Sequence, residues 1–250
     1  MSFIIVAREQ MPETAPSADE LRERLDEARR RIETCARRRG RDPAEITLIA
    51  VSKTHPPSLL RRAIEAGAHD LGENRVQEAE AKIEELGRWP PRWHLIGHLQ
   101  ANKARRAVAL FDVIHSIDSA SLARRLDRLC VEEGRNQLPV MIQVDLANEE
   151  TKSGVDEDDL PGLISVVKAC ERLRLIGLMT LPPFSEDAER ARPYFRRLRE
   201  LRDASGSRMD FGDGRGELSM GMSNDYEVAI EEGATMVRIG TAIFGERRAA

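Results

Sequence analysis

The chain has 250 residues, enough for one large domain or two small ones, and its length matches a single eight-stranded α/β barrel. Hydrophobic residues make up 41% and charged residues 33%, the profile of a globular protein with a heavily charged exterior. The net charge of −4 supplies no field that would draw nucleic acid or a membrane surface, and no apolar run reaches the length of a membrane span.

In chain order, Met1 to Val6 carries no basic segment ahead of its short apolar run, so no signal peptide is expected and the localisation expected is cytoplasmic. Residues 1–16 contain two prolines and no period, which reads as a loose tail. The single domain is expected over 17–250. Ser17 and Glu20 have the spacing of a capping box, opening a helix to about Arg39 with Leu21, Leu25, Ala28, Ile32, Cys35 and Ala36 on one face. Arginines cluster at 29–31 and 37–39 of this helix. Glu20, Glu23, Asp26, Glu27 and Glu33 interleave with them, so a solvated face is favoured over an RNA-binding one.

A strict alternation follows. Strands are predicted at 46–52, 69–72, 92–96, 112–117, 138–146, 173–181, 217–220 and 235–239. Helices are predicted at 57–66, 74–86, 102–110, 119–133, 157–170, 186–204 and 224–232, several stopped by glycine. Eight βα units imply a parallel sheet under helical cover. The expected fold is a single (β/α)8 TIM barrel with an extra N-terminal helix, and an open doubly wound sheet is the alternative.

Of the 39 basic residues only 5 are lysine. Arginine serves wherever a generic positive charge suffices, which makes the lysines notable, because imine chemistry needs an amine that can lose its proton. Lys53, Lys103 and Lys152 fall in loops or at strand ends; Lys82 and Lys168 read as surface residues of helices. Cys35, Cys130 and Cys170 are far apart, without metal spacing, and read as buried thiols.

In a barrel the chemistry sits at the C-terminal ends of the strands. Lys53 ends the first strand, on the face of Ile49 and Val51, where desolvation would favour its neutral amine. Ser223, Gly240 and Thr241 end the last two strands, where hydroxyls, backbone N–H groups and a side-chain-free glycine suit a phosphate. Helix capping by Ser223 or Asn224 is the plainer alternative. Arg238 lies within the last strand and needs a buried partner, either a carboxylate such as Asp145 or the ring nitrogen of a cofactor. Glu73 and Asn74 could cap the next helix, or Asn74 could touch a ligand. His94 and His98 stand four apart, but on a strand and without a nearby acidic partner, so a metal pair is disfavoured: His94 reads as packed and His98 as lining the mouth. A phosphate cradle facing a strand-end lysine suggests a phosphorylated aldehyde held as a Schiff base.

Five stretches carry a family likeness: Ala50–Thr54, Gly72–Glu78, Trp93–Lys103, Gly177–Thr180 and Leu218–Gly245. In order and register they resemble the pyridoxal phosphate homeostasis proteins of the YggS/PROSC type, over roughly residues 20 to 245. The resemblance implies a barrel like the N-terminal domain of alanine racemase. It implies pyridoxal 5′-phosphate (PLP) as the cofactor, bound to Lys53, with Arg238 facing the pyridine nitrogen and Ser223, Gly240 and Thr241 on the phosphate. It maps Lys152 onto a lysine associated with moving the cofactor. His55 stands where many members have a second lysine, and Arg75 where an aromatic is common.

The family role implied is to hold and deliver PLP, with apo PLP-dependent enzymes as partners and no significant turnover. A PLP-dependent amino-acid racemase is the sharp alternative. Racemisation needs a second acid/base group, which alanine racemases take from a C-terminal β-domain not expected here; only Tyr194 and Tyr226 could replace it. Without that domain a monomer is expected. A lysine-dependent aldolase acting on a sugar phosphate shares the same site chemistry.

Overall fold

The capping box forms as its spacing predicts. The Glu20 N–H donates to Ser17 Oγ at 3.1 Å and the Ser17 N–H donates to Glu20 Oε2 at 2.7 Å, opening α1 (Ala18–Arg38). The computed structural model describes residues 15–87, 91–147, 153–205, 211 and 214–245. After α1 come β1 (Thr47–Val51), α2 (Pro57–Glu65), β2 (Asp70–Glu73), α3 (Val76–Leu86), β3 (Arg92–Leu95) and α4 (Ala104–Leu110). Then follow β4 (Val113–Ile117), α5 (Ala120–Glu132), β5 (Leu138–Gln143), α6 (Leu160–Ala169), β6 (Leu173–Met179) and α7 (Arg192–Ala204). The last elements are β7 (Glu217–Met222), α8 (Tyr226–Glu231), β8 (Met236–Ile239) and α9 (Thr241–Phe244).

The strands form one closed parallel barrel in sequence order. Pairing of β1 with β8, through Thr47↔Met236, Leu48↔Val237, Ile49↔Arg238 and Ala50↔Ile239, excludes the open sheet. Two predicted helices, those expected from 157 and from 186, begin three or more residues late. Pro161 and Pro193 have no N–H to give and therefore sit in the first turn, so the residues ahead of them wind as short 3-10 turns, Glu157–Asp159 and Ala188–Ala191.

Most of the core lies between the barrel and its helices. A second, small cluster of Ile49, Met141 and Met236, with Ile176 against it, lies inside the barrel. β1 and β5 stand on opposite sides of the ring, so only inward side chains can bring Ile49 and Met141 into one cluster. The predicted apolar face of α1 is buried residue for residue. Its charged face is used largely within the chain: Arg24 donates to Ile243 O, Arg29 to Gly67 O, Arg31 to Glu227 and Arg39 to Glu231 O. Arg41 follows the same pattern, donating to Ile230 O and Ala234 O. On the far side, Arg192, Arg196 and Arg199 converge on the buried Glu232.

β6 and β7 approach so closely that a Cβ on Gly177 would fall 2.0 Å from Glu217 O. Gly177→Ala should therefore cost about 3 kcal/mol of stability by overpacking. A thermal melt should show Tm falling by roughly 10 °C; an unchanged melt would mean the strands part freely there.

Candidate functional site

β1 ends at Val51, and the segment after it is held from both sides of Lys53. Ser52 is buried; its hydroxyl donates to Glu73 Oε1 at 2.6 Å, and its carbonyl accepts from Lys82 Nζ at 2.8 Å. Lys82 also donates to Glu73 Oε1 at 2.6 Å and Glu78 Oε1 at 2.7 Å, so its three N–H donors meet three acceptors. The Thr54 N–H donates to that same Glu78 oxygen, and Thr54 holds φ = 69°, a left-handed conformation uncommon outside glycine. His55 stacks on Phe244 of α9 with ring centroids 5.0 Å apart. Lys53 itself is half-buried between these anchors.

This cluster corrects the sequence reading of Lys82 as a surface residue: its side chain is 4% exposed. It also corrects Glu73, which is a buried ion-pair partner while Arg75 occupies the N-cap of α3. Burial pushes the Glu73 carboxyl up, against the pull of Lys82 and Ser52, and its Oε2 has no hydrogen-bond partner. The signals that could have marked Lys82 are weak ones: the scarcity of lysine, and an i,i+4 spacing from Glu78 that exposed helical pairs share.

Arg238 is 2% exposed inside the barrel. Its Nη1 donates to Ser219 Oγ at 2.6 Å and its Nη2 to Thr180 O at 2.9 Å, which spends two of five N–H donors. Asp145, the carboxylate proposed for it from sequence, instead caps its own loop by accepting from the Ala147 N–H at 3.0 Å. The carboxylate that acts on Arg238 is Asp225, whose Oδ1 accepts from the Met222 N–H at 2.6 Å. Burial lowers the guanidinium to about 10, partly offset by Asp225, which leaves it cationic at neutral pH.

Ser223 lies before α8 but does not cap it; Asp225 takes that position. The Gly240 N–H donates to Ser223 Oγ at 3.1 Å, tying the ends of β7 and β8 together. That bond occupies the Gly240 donor and leaves the Ser223 O–H hydrogen to donate elsewhere. A Cβ on Gly240 would stand 3.3 Å from Val51 O, so glycine keeps the ends of β1 and β8 close. Thr241 opens α9 with an exposed side chain, and the turn's own bonds use the N–H groups of Ile243, Phe244 and Gly245.

Asn74 is half-buried at the end of β2, its backbone pressed against Gly97, where a Cβ would fall 2.3 Å from Asn74 O. Lys152 and the tail residues 1–14 lie outside the described residues. His98 is exposed, with Nδ1 3.1 Å from Asp118 Oδ2. His94 is packed as expected, but it has the acidic partner the sequence reading denied it, Asp70 Oδ1 at 2.9 Å. Among the described residues no group of three or more His, Cys, Asp or Glu could hold a metal ion, and no helix is long and apolar enough to cross a membrane.

Residues 23–248 match the alanine racemase N-terminal domain family. The chain belongs to that family. Among its relatives, the "pyridoxal phosphate homeostasis protein" of Aquifex aeolicus is 42% identical over 226 residues, covering 90% of this chain and 98% of that one. The protein of the same name from Pseudomonas aeruginosa is 47% identical over 219 residues, covering 87% and 91%. PipY of Synechococcus elongatus PCC7942, solved with PLP bound, superposes with a TM-score of 0.77 at 40% identity, covering 90% of this chain and 100% of that one. Alanine racemase from Corynebacterium glutamicum, at 18% identity and a TM-score of 0.65, shares the fold.

The Lys82 cluster generates a stability prediction. Lys82→Met leaves the Glu73 carboxylate buried and unpaired, which should cost about 3–5 kcal/mol near pH 7. Glu73 already binds its proton more tightly folded than its ordinary value of 4.5, so the folded state holds more protons than the unfolded chain above that value. The loss should thus be smallest near pH 4.5 and grow towards neutrality; urea melts of the variant and native chains at pH 5 and 8 would read it. An equal loss at both values would mean Glu73 is not the group stranded.

Proposed function

We propose that the protein binds pyridoxal 5′-phosphate at the mouth of the barrel as a Schiff base on Lys53, and serves intracellular PLP homeostasis and delivery without significant turnover. The observation that carries this reading is the closure of β1 on β8. It sets the end of the lysine-bearing strand against the Gly240 loop, with Arg238 one layer below. The name shared by relatives at 42–47% identity, and PLP in PipY, support the same ligand.

The donor set fits the group. The Ser223 hydroxyl hydrogen and the Thr241 hydroxyl are donors for a phosphate, and Gly240 allows backbone to approach it. Arg238 is a donor-only cation suited to an unprotonated ring nitrogen, an arrangement that weakens the ring as an electron sink. Asn74 flanks the mouth from β2. Lys152 is assigned to moving the cofactor, and apo PLP-dependent enzymes are the proposed recipients. Bound here, PLP supplies an aldehyde carbon that can pass from one amine to another.

The racemase alternative needs a second acid/base group beside Lys53. Tyr226 is 2% exposed, with its ring 5.5 Å from the Arg31 guanidinium carbon of α1, and burial pushes its phenol up to about 12. Tyr194 belongs to α7, in the outer ring of helices. Neither tyrosine supports a two-base reaction.

After incubation with PLP and removal of the free cofactor by gel filtration, the chain should stay yellow, and borohydride should abolish the colour by fixing the cofactor to Lys53. Lys53→Ala should lack the band. A visible spectrum that is flat for the native chain, or unaltered in Lys53→Ala, would refute the assignment, and a robust steady-state racemase rate would refute the carrier role.

A further inference from the structure

The barrel interior holds a line of buried polar groups that the mouth does not account for. It starts near the floor, where Asp70 opens β2 and pairs with the exposed Arg92 at 2.7 Å. Asp70 Oδ1 lies 2.9 Å from His94 Nε2 on β3. His94 Nδ1 lies 2.9 Å from His115 Nε2 on β4. His115 Nδ1 then meets Ser219 Oγ across the barrel on β7, again at 2.9 Å. Ser219 Oγ accepts from Arg238 Nη1 at 2.6 Å. His94, His115 and Ser219 have no exposed surface. Five strands contribute to the line.

Its proton positions follow from donor and acceptor counting. Arg238 can only donate, so Ser219 Oγ accepts from it and can pass its own hydrogen to His115 Nδ1. A neutral imidazole has one donor and one acceptor, so His115 then donates from Nε2 to His94 Nδ1. His94 in turn donates from Nε2 to Asp70. Burial holds His115 well below its ordinary value, with the neighbouring His94 and Arg238 adding to the effect, so it stays neutral. Burial opposes ionisation of Asp70, but the hydrogen bonds from His94 and Arg92 outweigh it and keep the carboxyl below its usual range. Every bond therefore points the same way, from a cation towards the floor carboxylate, and bonds aligned in this manner polarise one another. A filled apolar interior, usual in such barrels, would be at least as stable.

We propose that Asp70, His94, His115 and Ser219 are positioning residues, a one-directional hydrogen-bond relay that fixes the orientation of Arg238 from the opposite end of the barrel. This rests on the reading that Arg238 faces the ring nitrogen of PLP. The relay clamps the guanidinium edge turned towards Ser219, Thr180 O holds the other terminal nitrogen, and Asp225 balances its charge from the β7 loop.

Two measurements test it. The first uses the native chain without PLP: nitrogen-15 spectra of the imidazoles at about pH 8 should show His94 and His115 carrying their hydrogen on Nε2. A protonated His115, or its Nδ1–H tautomer, overturns the relay. The second titrates PLP by absorbance into the native chain, Ser219→Ala, Asp70→Asn, Arg238→Gln and the double variant Ser219→Ala/Arg238→Gln, with thermal melts showing each is folded. Ser219→Ala should raise Kd roughly tenfold or more. Asp70→Asn should also raise Kd, by about threefold, although it keeps an acceptor for His94 and lies at the far end of the chain of bonds. In the Arg238→Gln background Ser219→Ala should add nothing, because the two act as one unit. If Arg238→Gln leaves Kd unchanged, the ring contact itself is wrong. If Arg238→Gln weakens binding while Ser219→Ala and Asp70→Asn do not, or if the losses add in full, the relay is wrong and the ring contact stands.

Discussion

The site depends on the hydrogen bonds between β1 and β8. Those two strands lie at opposite ends of the strand series, and only their pairing brings Lys53 near Arg238, Gly240 and Thr241. Contacts above the register reinforce the seam. Gly240 has no Cβ to strike Val51 O, and the His55 ring stacks on Phe244, joining the loop after β1 to the turn after β8. From outside, α1 lies over the same seam, and Arg24 within it, with Arg39 and Arg41 just past its end, binds carbonyls of α9, of α8 and of the turn after α8. Half-buried charge-assisted bonds of this kind contribute about 1.5–3 kcal/mol each at most. A helix whose charged face read as merely solvated is therefore largely a brace.

Two buried polar assemblies set the geometry at the mouth. Lys82, Glu73, Glu78 and Ser52 grip the backbone on both sides of Lys53 from the helix side of the sheet. Ser219, His115, His94 and Asp70 hold Arg238 from inside it. Neither contributes much stability over an apolar equivalent, because desolvating the ions offsets their attraction. What they do supply is direction. An apolar core tolerates alternative packings of similar volume, whereas a saturated set of donors and acceptors has one arrangement. The left-handed Thr54 next to Lys53 persists because Glu78 accepts its N–H.

Much of the fold was legible in the chain. The period-2 and period-3.6 patterns placed all eight strands to within a few residues, and the capping box and glycine stops bounded the helices. The two largest errors at helix starts, in α6 and α7, trace to prolines that tolerate only a first turn. The strand ends identified Lys53, Ser223, Arg238, Gly240 and Thr241 as candidates, because in a parallel barrel those ends converge on one face. Less legible were the partners. Arg238 needed something buried, and the sequence offered Asp145 or the ring nitrogen of a cofactor; within the chain it was Ser219 and Thr180 that answered, not Asp145. Lys82 looked like any helical lysine, since nothing local says that its helix face turns towards a carboxylate ending β2.

Periodicity, capping and turn chemistry are local, and they determined from the sequence alone which segments are strands, which are helices and that each strand is followed by cover. The family motifs are local too, and they are contiguous stretches that need no folding to be read. Only the tertiary structure decided that Asp70, His94, His115, Ser219 and Arg238 share one line of bonds, since each comes from a different strand of the barrel. Their spacing in the chain, 24, 21, 104 and 19 residues, carries no period. The physical reason is barrel closure: curvature and tilt bring His115 of β4 against Ser219 of β7, strands that never pair through their backbones, and no one-dimensional pattern encodes which inward residue meets which.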